Sequence, residues 1–288
     1  MFKTAEQRAL DQLSTPAGRL AVLAADQRTK LVAARGQAGL PTDMASLRAF
    51  KLDLVRELGR LPAAVLLDPE IALPYVADEG ALPARTGLIV SLERSGAVRA
   101  PDGLRSAELL PGVGALGVRR LGGTAAKLLV RLRADREDAD GPNGRLIAAA
   151  VEDCRANHLL LVVEVLAYRL DDEDGTEFAG RRGELILRGA RLAEACGAGF
   201  LKLEYPGGPA ECAALTGGLR VPWALLSAGV DHDTFVCQLR TALQNGASGF
   251  IAGRSIWKEA AVMDGPARLE FLKGEARRRL DELLGMVH

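Results

Sequence analysis

An alternation that recurs eight times constrains this chain more than any other feature. A short apolar run is followed by a loop and, in most cases, by a stretch with helical periodicity. The runs are RLAVLAA from Arg19, AAVLLD from Ala63, GLIVSLE from Gly87, AKLLVRLR from Ala126, LLLVVEV from Leu159, GFLKLEY from Gly199, PWALLSA from Pro222 and SGFIAGR from Ser248. They are almost continuously apolar, as strands become when both faces of a parallel sheet are covered. Parallel neighbours need crossover helices, and DMASLRAFKLDLVRELG, GRLIAAAVEDCRANH, RRGELILRGARLAEACG and DTFVCQLRTALQNG supply such patterns. Gly197 and Gly246 stand just past the last two, where a helix ends most easily on glycine. Eight such units predict a single α/β domain over residues 1–288, a (β/α)8 TIM barrel.

Composition narrows the function classes. The 37 basic and 37 acidic side chains cancel, so no overall field favours nucleic acid or an anionic membrane. An anionic ligand therefore needs a local site. Cys154, Cys196, Cys212 and Cys237 form no CxxC pair, which fits a reduced cytoplasmic protein. The polar, helix-like opening MFKTAEQRAL has no apolar signal-peptide core. The most apolar run, HLLLVVEVLAY, is too short to span a bilayer and contains Glu164.

Catalytic groups of barrels come from the carboxyl ends of strands, so polar residues there carry more weight than elsewhere. They are Asp26-Gln27-Arg28, Asp68, Glu93, Lys127 with Arg131 and Arg133, Glu164, Lys202 with Glu204, Ser227 and Arg254. A lysine inside the apolar strand FLKLE has an ordinary explanation, a charge that reaches solvent or pairs with Glu204. Yet Lys127, Glu164 and Lys202 lie on strands four, five and six, which are neighbours in this fold, and all three would face the interior together. That set suits amine catalysis. A lysine is a nucleophile only when neutral, and both burial and a second ammonium favour the neutral form. Such a lysine adds to a ketone and forms an iminium, which draws electrons from the adjacent carbon–carbon bond. Glu164 is placed as acid/base, with burial expected to raise its pKa. The covalent iminium needs no other cofactor.

The last two strands offer an anion site: Ser227-Ala228-Gly229 after strand seven and Gly253-Arg254 after strand eight. Glycines admit close backbone approach, and an arginine fork matches phosphate or sulfonate oxygens. The three histidines, His158, His232 and His288, are too scattered to predict a metal centre. There is no GxGxxG and no P-loop, so nucleotide binding has no local support. The charged connections RADREDADGPNG and YRLDDEDGTEFAG, after strands four and five, are expected as long loops on the rim, where they are candidate lids.

The segments LAADQR, AVLLDPEIALP, AAKLLVRLRAD, VVEVLAY, FLKLEYP, LLSAGVD and GASGFIAGRSIW occur in this order. Together they resemble, over nearly the whole chain, the class I aldolases that include tagatose 1,6-bisphosphate and sulfofructose 1-phosphate aldolases. The resemblance implies that Lys202 is the Schiff-base lysine and that Glu164 and Lys127 are active-site residues. It implies too that Asp26 and Gln27 line the pocket, and that Ser227, Ala228, Gly229, Gly253 and Arg254 hold the C1 phosphate. It leads one to expect a sugar-phosphate ligand and a homo-oligomer. The tagatose branch carries Tyr-Tyr-Asp after strand four. Arg131-Leu132-Arg133 is closer to the sulfofructose branch, which has an arginine at the place of Arg133. By the period-two rule Arg133 would share a face with Lys127 and meet the anion at C6 of the sugar. The competing reading is a salt bridge to the acidic loop DREDAD. On this basis a sulfosugar substrate is expected, with a ketohexose bisphosphate as the alternative. The more distant readings are a non-catalytic sugar-phosphate sensor and another lyase or isomerase on the same barrel.

Overall fold

The computed structural model describes residues 4–288. Eight parallel strands close into a barrel: β1 Leu20–Ala24, β2 Ala64–Leu67, β3 Gly87–Ser91, β4 Ala125–Arg131, β5 Leu160–Leu166, β6 Leu201–Leu203, β7 Trp223–Leu226 and β8 Gly249–Ala252. Each strand pairs with its neighbours in sequence, and β1 pairs with β8. All eight expected strands are present. Of the N-terminal segment, Thr4–Gln12 forms the expected helix, while residues 1–3 lie outside the described residues.

Side chains alternate across each strand, so one set faces the barrel axis and the other packs under the helices. The inward set begins apolar. Leu20, Val22 and Ala24 of β1 pack with Ala64 and Leu66 of β2, Ile89 of β3, Ala125 of β4, Leu160 and Val162 of β5, Ala224 of β7 and Ile251 of β8. The outward set joins the helices in one larger core that includes Leu67, Val90, Leu128, Val163, Leu203 and Phe250. Continuing the inward series two residues at a time toward the carboxyl ends reaches Asp26, Glu93, Lys127, Glu164 and Lys202, all buried. The barrel interior is therefore hydrocarbon at one end and ionic at the other.

Helix boundaries follow local chemistry. Asp43 accepts the Ser46 amide at the start of Met44–Leu58, and Asp231 accepts the Thr234 amide at the start of His232–Gln244. Gly197 and Gly246 have φ of 97° and 93°, the left-handed conformation expected just past a helix. One expected loop is shorter than its composition implied. Asp174 accepts the amides of Thr176 and Glu177 and starts the helix at Gly175, so GTEFAG belongs to Gly175–Ala195. The longest irregular excursion instead follows β3. It carries a small antiparallel ribbon, Val98–Arg99 with Arg105–Ser106, and the short helix Ala115–Arg120. No helix among the described residues is long and apolar enough to cross a membrane.

Closure of the barrel leaves no room at Gly249. Its φ is 143°, and a Cβ there would lie 2.0 Å from the Leu20 carbonyl oxygen across the β1–β8 seam. Neither atom has a flexible side chain to yield. Gly249→Ala is expected to cost at least about 2 kcal/mol, measured as a lower denaturant midpoint with an unchanged m value.

Candidate active site

The carboxyl ends of the strands surround a cavity of about 360 Å3, within the roughly 300–1,000 Å3 usual for small-ligand pockets. It shares the lining residues Asp26, Gln27, Glu164 and Arg254 with a recess of about 40 Å3 that is also lined by Lys202, Ser227 and Gly253. Lys127 is the hub of the floor. Its ammonium lies 2.7 Å from Asp26, 2.7 Å from Glu93 and 3.2 Å from Glu164. Burial opposes that charge, but the three carboxylates outweigh it and hold Lys127 well above the ordinary lysine range. Lys202 is placed differently. Its Nζ donates to one carboxylate, Glu164 Oε2 at 2.8 Å, and Glu164 is shared with Lys127.

The acids answer to the same geometry. Burial alone would raise Glu164, as expected from its place in an apolar strand. Lys202 and Lys127 more than offset this, and its pKa is lowered. Asp26 is likewise lowered against the effect of burial, by Lys127, Lys202 and Lys51. Glu93 stays raised, because burial and the Asp26 charge outweigh Lys127. Its two oxygens accept from Lys127 Nζ and from the Leu129 amide at 3.0 Å. Glu204, the partner that the simplest explanation of Lys202 required, turns instead to Arg182 at 2.7 Å and the Ala167 amide at 2.9 Å.

At the other side of the recess the chain bends sharply after β7. Ala228 has φ 49° and Gly229 φ 88°, and the Arg254 guanidinium donates to the Ala228 carbonyl at 3.1 Å. A Cβ on Gly229 would sit 2.8 Å from the Arg254 carbon, and one on Gly253 would sit 2.3 Å from the Ala24 carbonyl oxygen. Glycine at these two places lets the β7 loop, Arg254 and the end of β1 crowd together beside Ser227.

Of the eleven residues given a catalytic or substrate-binding role from the sequence, ten converge here; Arg133 does not. The β4–β5 ladder ends at Arg131 paired with Leu166, and beyond it the alternation stops. Arg133 turns away from the cavity, is 1% exposed, and forms paired hydrogen bonds to Asp135 and to Glu173. Its fork is saturated by the acidic loop and by the loop after β5. It binds the rim together and has no donor to offer a substrate. Arg131, two residues earlier, keeps the inward phase and lines the cavity, with one hydrogen bond to the Gly96 carbonyl. Lys30, Arg28 and the turn Arg94-Ser95-Gly96 complete the lining. Lys30 lies off the strand series in the first turn of helix Thr29–Gln37, and no strand periodicity leads to it. Glu93, one of the polar strand-end residues noted in the sequence but given no role there, continues Ile89 and Ser91 at period two. No group of three or more His, Cys, Asp or Glu among the described residues is arranged for a metal ion.

A closed barrel with a buried lysine–carboxylate cluster at its carboxyl rim has the form of an enzyme that works on a small polar molecule. Comparison with known proteins defines the class. The family model for DeoC/LacD family aldolases matches residues 20–259, and the chain belongs to that family. It is an aldolase, a carbon–carbon lyase. Tagatose 1,6-diphosphate aldolase 2 of Enterococcus faecalis is 27% identical over 311 residues, covering 96% of this chain and 92% of that protein. Tagatose 1,6-diphosphate aldolase of Lactococcus lactis is 26% identical, with coverages of 96% and 94%. Among solved structures, a Schiff base-forming fructose-1,6-bisphosphate aldolase shares the fold with a TM-score of 0.67 at 18% identity, over 98% of this chain and 99% of that one.

The Arg133 cluster makes a pH prediction. Hydrogen bonds from Arg133 bring the Asp135 carboxyl down from 3.8 to about 2. A carboxyl depressed on folding stabilises above its unfolded pKa, and that contribution fades as pH falls through its folded value. The difference in melting temperature between the protein and Asp135→Asn is expected to be constant from neutrality to about pH 4, then to shrink toward pH 2. A difference that grew on acidification would contradict the pairing.

Proposed function

We propose that this aldolase is of the Schiff-base type and cleaves a ketohexose 1,6-bisphosphate, with Lys202 as nucleophile. The observation that carries this reading is the unequal pairing of the two lysines. Lys127 is fixed as an ammonium by three carboxylates, whereas Lys202 meets one that it shares. To attack, Lys202 passes a proton to Glu164 at 2.8 Å. Its nitrogen adds to the C2 carbonyl, and Glu164 returns the proton to the carbinolamine hydroxyl, which leaves as water to give the iminium and restores the Glu164 carboxylate. Glu164 takes the proton of the C4 hydroxyl, the C3–C4 bond breaks, and its electrons pass into the iminium to give an enamine. The C4–C6 fragment leaves as glyceraldehyde 3-phosphate. Protonation of the enamine and hydrolysis then release dihydroxyacetone phosphate and free Lys202. Lys127 stays cationic and donates to substrate oxygens, while Asp26 and Gln27 accept from substrate hydroxyls. Ser227, Ala228, Gly229, Gly253 and Arg254 hold the C1 phosphate.

The second anion meets Arg131 and Lys30. Burial, together with the nearby charges of Arg254 and Arg131, lowers the pKa of Lys30, as expected where cations gather without enough anions. The expectation of a sulfonate rested on Arg133, whose donors are already used. Two cations suit a phosphate dianion, and the relatives named above are tagatose 1,6-diphosphate aldolases.

Borohydride reduction with substrate, intact mass and peptide mapping test the chemistry. An adduct of dihydroxyacetone phosphate on Lys202 is expected, absent in Lys202→Ala and retained in Lys127→Met at lower turnover. An adduct that survives Lys202→Ala would move the nucleophile and end this assignment. For specificity, kcat/KM is compared for tagatose 1,6-bisphosphate, fructose 1,6-bisphosphate and sulfofructose 1-phosphate. Arg131→Met is expected to lower kcat/KM for the bisphosphate about 10- to 100-fold, mostly through KM. Preference for the sulfonate would reverse the substrate reading and leave the chemistry intact.

A further inference from the structure

Outside the cavity, in helix Met44–Leu58, one lysine is wholly buried. Lys51 is 0% exposed, and its ammonium has three neighbours, two carbonyls that accept hydrogen bonds from it and one carboxylate with which it forms an ion pair. They are the Ala25 carbonyl, the Gln27 carbonyl at 2.7 Å and Asp68 Oδ2 at 2.9 Å. Asp68, also 0% exposed, is anchored just past β2 by accepting the amides of Glu70 at 3.2 Å and Ile71 at 2.6 Å. Among the described residues its Oδ2 accepts no hydrogen bond and is held by the Lys51 charge. A buried charge pair of this kind is seldom retained for stability alone, since an apolar pair of similar volume serves as well.

The two carbonyls flank Asp26. The Ala25 amide still bonds to Leu66 at 2.8 Å, so the ladder runs one residue beyond β1 and then ends. Past that point β1 has no strand partner to fix it, and the Lys51 ammonium takes the place of one. Two carbonyls two residues apart, drawn to a single nitrogen, fix the direction of the backbone that carries Asp26. Asp26 in turn stands 2.7 Å from Lys127.

We infer that Lys51, held by Asp68, is a positioning residue that fixes the Asp26 carboxylate on Lys127 from outside the cavity. The inference rests on the reading of Asp26 given under the proposed function. Lys51 itself lines neither the cavity nor the recess and does not pair with Lys202; it holds the backbone on either side of Asp26, through the Ala25 and Gln27 carbonyls, so its effect on the Lys127 cluster passes through Asp26. Small displacements of a catalytic constellation cost up to about 100-fold in rate.

The test is a double-mutant cycle on turnover of whichever of the three sugar phosphates above the enzyme cleaves. One arm is Lys51→Met/Asp68→Asn, which leaves no unpaired buried charge; the other is Asp26→Asn. The first arm is expected to lower kcat about 10- to 100-fold with KM within about twofold. Adding Asp26→Asn to it is expected to lower kcat less than about threefold further. Asp68→Asn alone, a gentler change, serves if the first arm does not fold, and is expected to lower kcat about 3- to 10-fold. Effects on kcat that multiply in full would overturn the inference, as would a lower melting temperature with kcat per folded enzyme unchanged. Wild-type turnover in Asp26→Asn would overturn it together with the role given to Asp26. A borohydride adduct mapped away from Lys202 would instead remove the nucleophile assignment, while the cycle still reports the coupling of Lys51 to Asp26.

Discussion

The site is organised by one buried ammonium. Lys127 is 1% exposed and reaches carboxylates from the ends of β1, β3 and β5. Each of those acids, left alone at that depth, would be costly to keep ionised. Gathered around one lysine, they draw three separate strands toward one point on the barrel axis. Removing a single member of such a group leaves uncompensated charge, typically a loss of about 3–5 kcal/mol. Lys127 is thereby tied to the ammonium form, and the proposed function accordingly gives the amine chemistry to Lys202. The asymmetry arises from position along the strands, since Lys127 sits where three acids converge and Lys202 reaches only the near one.

Much of this was legible in the sequence, because a barrel strand has a simple rule. Inward positions recur every second residue, and a polar residue that breaks an apolar series toward the carboxyl end faces the site. Lys127, Glu164, Lys202 and Asp26 all follow it. So does Glu93, whose importance lies in its contact with Lys127, and contacts between strands are set by register, which periodicity in one strand does not reveal. Lys30 lies on a helix, outside the reach of the rule. Lys51 is on a helix as well, where a lone lysine among apolar residues looks like an ordinary solvent-reaching side chain.

Arg133 shows where the rule stops. Extrapolating the alternation of AKLLVRLR carries Lys127 to Arg133 in three steps, but the ladder with β5 ends at Arg131. A strand holds its phase only while a neighbour holds it in register. Once the pairing lapsed, local charge decided, and the nearest carboxylates in sequence and space were Asp135 and Glu173. The acidic loop DREDAD, the competing partner for Arg133 in the sequence, supplies Asp135, and the loop after β5 supplies Glu173. The pKa of Glu164 errs in an analogous way. Burial was inferred correctly, but the two ammonium groups beside it reverse the outcome.

The distribution of charge matches the proposed substrate in outline. A chain of zero formal net charge cannot gather anions from a distance, so attraction must come from the mouth of the cavity. There Arg131, Arg254 and Lys30 stand close enough for Lys30 to feel both arginines, while every carboxylate of the Lys127 cluster is engaged below them. A ketohexose bisphosphate has the complementary form, with an anion at each end and hydroxyls and a carbonyl between. Its phosphates would neutralise the rim, and its uncharged middle would lie over an ionic floor whose charges are already matched. Binding would then relieve repulsion among the rim cations and, in the proposed reaction, leave the carbonyl over the floor where it meets Lys202.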